Sequence, residues 1–236
     1  MKTTLLTIFA CLAATSILKA QEPDLESILA KYYSAVNMEK LAAVQSVVMT
    51  GTIVQQDLMP VKIYRLRPDR YLMEYDVADL TAYLGFDGTA GWFTAPWTGN
   101  AAAQKAAPDR EADLRIRADI DGVLYKWKEK GHLPELVGAD TVDRRPSYRI
   151  KVTRKDGGIE YHLLDAETFL PARRISTRMA GGKEIPVETT YRDYRKVSGI
   201  FFPFKVETNN GGRVNEIQFD LVEVDVPVKE SIFGMP

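Results

Sequence analysis

Few residues in this chain have the types and spacing that bond chemistry needs. The two histidines, His132 and His162, would act as bases or metal ligands only beside a partner at fixed spacing, such as a G-x-S-x-G elbow or an H-E-x-x-H pair, and neither has one. His162, between Tyr161 and Leu163, lies in a stretch that alternates apolar and polar and reads as a surface or satisfied strand residue. His132, between Gly131 and Leu133-Pro134, reads as a loop residue. The pairs Asp119/Asp121 and Asp140/Asp143 could touch a calcium ion, but neither supplies the run of oxygens a calcium loop needs. The only cysteine, Cys11, stands in an apolar run over residues 5–18 that follows Lys2 and ends at Leu18-Lys19-Ala20. Charge, apolar stretch and small residue in that order form a signal peptide, too short for a comfortable membrane span. Cleavage before Gln21 would leave residues 21–236 as one domain without cysteine, which excludes disulfides, thiolate catalysis and zinc–thiolate sites. A lipid-anchored Cys11 is the poorer reading, because Ile8-Phe9-Ala10 is a weak lipobox and apolar residues continue after it. No enzyme, metal site or cofactor is expected.

The remaining chemistry is non-covalent. Gly91-Trp92-Phe93-Thr94-Ala95-Pro96-Trp97 gathers aromatics at a strand end, with Met49, Met59, Met73, Tyr71, Tyr75 and Leu84 earlier in the chain. Aromatics of this density commonly build a core. Methionine repacks around irregular shapes, so the same set also suits a deformable surface that accepts apolar ligands. Formal charge is -1, from 31 basic and 32 acidic residues. The basic residues are scattered singly, which gives no footprint for nucleic acid. Hydrophobic residues make up 45% of the chain, an ordinary value for a folded domain.

The elements that must position these residues change period once. Residues 24–36 read as an amphipathic helix capped by Asp24, and 38–44 as a second short one. From Ser46 the period is two: residues 46–56, 61–67, 70–77, 80–86 and 90–95 read as strands joined by turns such as Pro68-Asp69 and Asp87-Gly88. Residues 98–122 are Ala-rich and helical around 109–120. A second strand set follows at 135–142, 147–154, 159–164, 172–179, 185–197, 200–207 and 214–226, with turns at Asp156-Gly157-Gly158, Gly181-Gly182 and 209–212. With no βαβ alternation, the fold class is mainly β (α+β): an open antiparallel sheet of about eleven or twelve strands that must curl, covered by the two helical segments.

Two segments then carry a resemblance. Ile63-Tyr64-Arg65-Leu66-Arg67-Pro68-Asp69-Arg70-Tyr71-Leu72-Met73-Glu74-Tyr75 resembles the strand, R-P-[N/D/G] turn and strand of LolA-like lipoprotein carriers. The stretch from Phe86-Asp87-Gly88 to Ala95-Pro96-Trp97 is similar to that family's D-G-x-x-x-W-x-x-x-P-[F/W] segment. Tyr161 to Pro171 resembles its D-x-x-T-x-L-P hairpin, and Asp225 to Pro236 its closing edge. The LolA/RseB-like resemblance implies an open half-barrel with a helical lid and an apolar concave surface for acyl chains of lipoproteins or other lipids. It implies no bond chemistry, a periplasmic monomer, an ATP-driven inner-membrane exporter on the loading side and an outer-membrane acceptor. Arg67, before the turn proline, matches the arginine that holds the family's lid closed; Arg65 serves as its comparison residue. The expected ligand set is Arg67, Met49, Tyr71, Met73, Tyr75, Leu84, Trp92 and Trp97. The alternative is an envelope-stress sensor or scaffold of the same fold, binding lipid or misfolded protein. An enzyme acting on envelope lipids would need a nucleophile with a base, and no such pair stands out. The middle segment, 98–122, is long, Ala-rich and charged, and departs from the family.

Overall fold

The computed structural model describes residues 23–55, 57–180 and 183–236. The signal peptide with Cys11 and the cut before Gln21 fall outside the described residues, as do Gln56 and the Gly181-Gly182 turn.

Asp24 opens α1 (Leu25–Val36): its Oδ1 accepts a hydrogen bond from the Ser27 amide at 2.8 Å, satisfying a donor that helix geometry leaves free. Ile28, Leu29, Tyr32 and Val36 form the buried stripe of α1. Asn37, at φ 65°, ends it and turns the chain into α2 (Met38–Ala43), which buries Met38 and Leu41. The strands are β1 (Ser46–Val54), β2 (Leu58–Leu66), β3 (Arg70–Val77), β4 (Leu80–Phe86), β5 (Gly91–Ala95) and β6 (Asn100–Lys105) before the middle helices. After them come β7 (Leu133–Val142), β8 (Arg145–Thr153), β9 (Ile159–Asp165), β10 (Pro171–Ala180), β11 (Lys183–Val197), β12 (Ile200–Asn210) and β13 (Arg213–Val224).

All thirteen strands form one antiparallel sheet in the order β6-β5-β4-β3-β2-β1-β13-β12-β11-β10-β9-β8-β7. Every neighbour is consecutive in the chain except β1 and β13, which meet at the centre. The two edges, β6 and β7, are therefore also consecutive. Residues 106–132, which join them, have to cross the open side of the curled sheet, and this crossing carries α3 (Pro108–Ala118) and α4 (Trp127–Lys130). A lid thus follows from the topology. Leu114 and Ala118 of α3 are fully buried with Phe86, Tyr71, Leu29 and Ile200 in the main core, which lies between the sheet and the helices.

The sheet has one strand more than the sequence reading resolves. β6 falls inside the Ala-rich segment, and its residues are exposed almost throughout. An edge strand with both faces solvated needs neither alternation nor β-branched residues, so Asn-Ala-Ala-Ala-Gln-Lys carries no strand signal.

Candidate functional site

Cross-strand pairing sorts the early strands into two faces. On the inner face, one rung runs Val222–Met49–Ile63–Met73–Leu84–Phe93, and a second runs Phe219–Gly51–Val61–Tyr75–Ala82. A third runs Val224–Val47–Arg65–Tyr71–Phe86–Gly91. The structure therefore brings Met49, Tyr71, Met73, Tyr75 and Leu84 together under the helices. Met49 and Tyr71 are buried, while Met73, Tyr75 and Leu84 pack against the core part-exposed.

Trp92 is a correction. It belongs to the outer rung Val48–Tyr64–Leu72–Gly85–Trp92, one residue out of phase with the inner face. Its indole covers Gly85, where a Cβ would stand 2.3 Å from the ring, and its Nε1 donates to the Phe233 carbonyl at 2.7 Å. With Leu72 and Phe233 it forms a separate small core that fastens the C-terminal segment to the back of the sheet. Trp97 lies past the end of β5 in a short 3-10 turn (Pro96–Thr98), is 49% exposed and places its ring 6.3 Å from that of Tyr75.

Arg67, directly after β2, ties two lid elements together. Its Nε donates to the Val44 carbonyl at 2.6 Å and its Nη2 to the Leu41 carbonyl at 3.1 Å, both at the C-terminal end of α2. The same guanidinium clasps Asp121, just beyond α3, through Nη1 at 2.9 Å and Nη2 at 2.6 Å. Both side chains are largely buried. A planar fork with five donors suits this double task, which a lysine could not perform. Asp121, held first by its hydrogen bond, raises the pKa of Arg67 further. The carboxylate pairs read as possible cation sites are committed to basic side chains: Asp121 to Arg67, Asp119 to Lys130 at 2.6 Å, Asp140 to Arg149 at 3.0 Å and Asp143 to Arg192 at 2.7 Å.

The late strands present a different inner face. Ile150 and Val152 of β8 continue the apolar lining, but their partners on β9 are His162 and Glu160, and those of β9 on β10 are Arg174 and Ser176. Glu160 is fully buried. It accepts Arg174 Nε at 2.7 Å and lies 2.9 Å from His162 Nε2, with Arg154 at 3.5 Å. Burial alone would raise its pKa, but His162 and Arg174 outweigh that and hold it well below the carboxylate range. His162 is thus a satisfied strand residue that faces inward. His132, in the loop before β7, accepts the Lys155 amide at 3.2 Å, and burial, then Lys130, lowers its pKa.

From the lid, Arg117 pairs with Asp113 at 2.7 Å, and Asp113 also feels Arg174 and Arg178 from the far wall. Arg117 and Asp113 leave 43% and 41% of their side chains accessible, so the space beneath α3 is open on this side. A cleft of about 730 Å³ opens between the Pro68-Asp69 turn, the outer side of α3 and the β8–β9 turn, and Arg154 on its wall connects it to Glu160. None of the expected Met and Tyr lining borders this cleft. Among the described residues, no group of three or more His, Cys, Asp or Glu could hold a metal ion. Sequence reasoning missed Arg65 and the Glu160–His162–Arg174 cluster. Arg65 carried a signal, since it continues the period-two run Met59, Val61, Ile63.

No protein-family model and no curated protein matches the sequence. Solved structures do match in shape. A DUF1329 family protein from Desulfovibrio piger superposes with a TM-score of 0.61 at 15% identity, over 88% of this chain and 97% of that one. A LolA superfamily protein from Nitrosomonas europaea superposes with a TM-score of 0.58 at 12% identity, over 90% of this chain and 98% of that one. At such identities the likeness is one of fold.

Proposed function

We propose that this chain, an open antiparallel half-barrel with a helical lid and a LolA-like fold, is a non-enzymatic periplasmic carrier, acting as a monomer, which takes the acyl chains of lipoproteins or other lipids into the half-barrel and delivers them toward the outer membrane. The observation that carries this reading is the inner rung Met49–Ile63–Met73–Leu84–Phe93: an unbroken apolar strip, two of its members deformable methionines, under a lid fastened by Arg67. Each methylene buried on such a strip gains about 0.8 kcal/mol, so a long chain can be extracted without bond chemistry. The lid has to move for the chain to enter. Arg67 holds α2 and the segment after α3 through a few charge-assisted hydrogen bonds, each of about 1.5–3 kcal/mol, which cargo can displace. An exporter at the inner membrane and an acceptor at the outer one would supply the direction of transfer.

Native mass spectrometry of protein purified from its envelope should show a bound lipid. Saturable binding of a fluorescent apolar dye should be weakened about tenfold or more by Met73→Asp, because a charge on the apolar strip is unpaired. Glu74→Asp, on the outer face one residue away, should leave it unchanged. Equal dye binding by the parent and by a folded Met73→Asp variant would remove the strip from the function.

A further inference from the structure

Two inner rungs of the early wall are apolar, and the third is interrupted by one cation. Arg65 stands between Val47 and Tyr71, pointing into the half-barrel with the core residues on either side. Its Nε is shut off from solvent with no acceptor, and among the described residues its guanidinium forms no ion pair. The cations around it are all occupied. Arg117 is paired with Asp113, Arg174 with Glu160, and Arg178 donates to Asn210 at 2.7 Å. Asp119, the carboxylate whose charge reaches Arg65, is held by Lys130 at 2.6 Å.

Around Arg65 stand the Tyr71 and Tyr191 phenols and the charge of Arg117 from α3, while burial lowers its pKa. Arginine does not escape such a place by losing its proton. A charge in this position is disfavoured unless countered, and among the described residues no carboxylate pairs with it, Asp119 acting only from a distance. A cation without an ion pair at the edge of an apolar wall is what an anionic head with an apolar tail requires. The guanidinium fork matches a carboxylate or a phosphate through two parallel hydrogen bonds.

The geometry points to an anion site inside the half-barrel: Arg65 binds the carboxylate or phosphate of an anionic amphiphile whose chain lies along the neighbouring Met49–Met73–Leu84 rung. This inference rests on the carrier reading and narrows its cargo from acyl chains in general to anionic ones. Tyr71 and Tyr191 add hydroxyl donors at the same end. The free carboxylate of a fatty acid and the phosphate of a phospholipid share this chemistry.

The test compares ligands of equal chain length, hexadecanoate against hexadecanol, by displacement of a fluorescent apolar dye from the whole mature protein. The parent should prefer the carboxylate by about tenfold or more. Arg65→Met should abolish that preference and leave the alcohol's affinity unchanged, and Arg65→Lys should keep part of it. Dilauroyl phosphatidate, measured against dilauroylglycerol, tells phosphate heads from carboxylates; preference for either anion supports the site. Inorganic phosphate or acetate alone, bound as tightly as the long-chain anions, would overturn the amphiphile in favour of a free-anion site. Equal binding of acid and alcohol by the parent overturns the anion site and leaves the carrier standing, whereas loss of both ligands removes the carrier and this inference with it. Thermal melting gives an independent reading: removing an uncompensated charge should raise the Tm of Arg65→Met, and a lowered Tm would make Arg65 part of the fold's own support and overturn the proposal.

Discussion

The inner faces of β2–β4 and of β9–β10 share one pleat and one lid, yet they bury opposite things. The early wall is a lattice of Met, Ile, Val, Tyr and Leu whose attraction has no direction. The late wall buries a carboxylate, but surrounds it with His162, Arg174 and Arg154 so that its charge is answered within the chain. Arg65 breaks the contrast on the early wall, as a cation without an ion pair among the described residues. Burial of polarity is therefore not what separates the walls. On the late wall a buried carboxylate has its cations, though the Nε of Arg154 makes no hydrogen bond, whereas on the early wall a cation has no carboxylate. A completed network rigidifies a region, whereas an apolar strip with a lone cation awaits a partner of the complementary kind.

The strongest way to break this comparison is to remove the anchor of each wall. Phe86→Ala, which empties a fully buried site on the early wall, should cost about 3–5 kcal/mol in urea unfolding. Glu160→Ala, which leaves Arg174 buried without its anion, should cost a similar amount, about 3–5 kcal/mol. A loss below about 1 kcal/mol for Glu160→Ala would show that the late network does not hold its wall.

A smaller effect sharpens the difference through pH. Because the folded pKa of Glu160 lies below its ordinary value of 4.5, the native state binds fewer protons than the unfolded chain as the pH falls. The stability this group contributes is therefore complete above about pH 4.5 and is lost as the pH drops toward and through the lowered folded value. Urea midpoints of Glu160→Gln between neutral and acid pH should fall less steeply than those of the parent. Parallel curves would assign the acid sensitivity to other carboxylates, Asp113 first among them, whose pKa Arg117 also lowers against the effect of burial.

The least disruptive change bears on the lid that spans both walls. Arg67→Leu removes four hydrogen bonds to Val44, Leu41 and Asp121. It should cost stability on the order of 1–3 kcal/mol, bind acyl ligand at least as tightly as the parent and release it several-fold more slowly to acceptor vesicles. Unchanged transfer rates would reduce Arg67 to a structural ion pair. Arg65→Leu cannot serve as the inert comparison in that experiment, because its side chain enters the same interior. Arg70→Leu, whose partner Glu230 is exposed, takes that place.

How far the sequence carried this picture depended on whether a residue's role was local. The helix over 25–36 and the strands over 70–77 and 80–86 were legible because a cap, a turn or a period marks them within the segment itself. Tyr71, Met73 and Tyr75 could be placed on one face by alternation alone. Trp92 could not, since its face is decided by the pairing of Gly85 with Trp92 across a hairpin rather than by anything in β5. Likewise Glu160, His162 and Arg174 become a cluster only once β9 lies beside β10. The partners of Arg67, the carbonyls of Leu41 and Val44 and the carboxylate of Asp121, are also set by elements that lie far from it in the chain.

The sheet order bears on how the molecule assembles in time. On each side of the centre, every strand pairs with its neighbour in the chain, so each wall can zip up through short loops of low entropic cost. The single pairing of β1 with β13 joins nearly the two ends of the described chain, and it is the longest closure in the sheet. Folding speed falls as contacts grow more distant in sequence, so this seam sets the pace of the whole reaction. Until it closes, both apolar and charged walls stand open, each with an unpaired edge where the other belongs. A newly made chain is most exposed to aggregation in that interval, and the partner it needs soonest is its own other half.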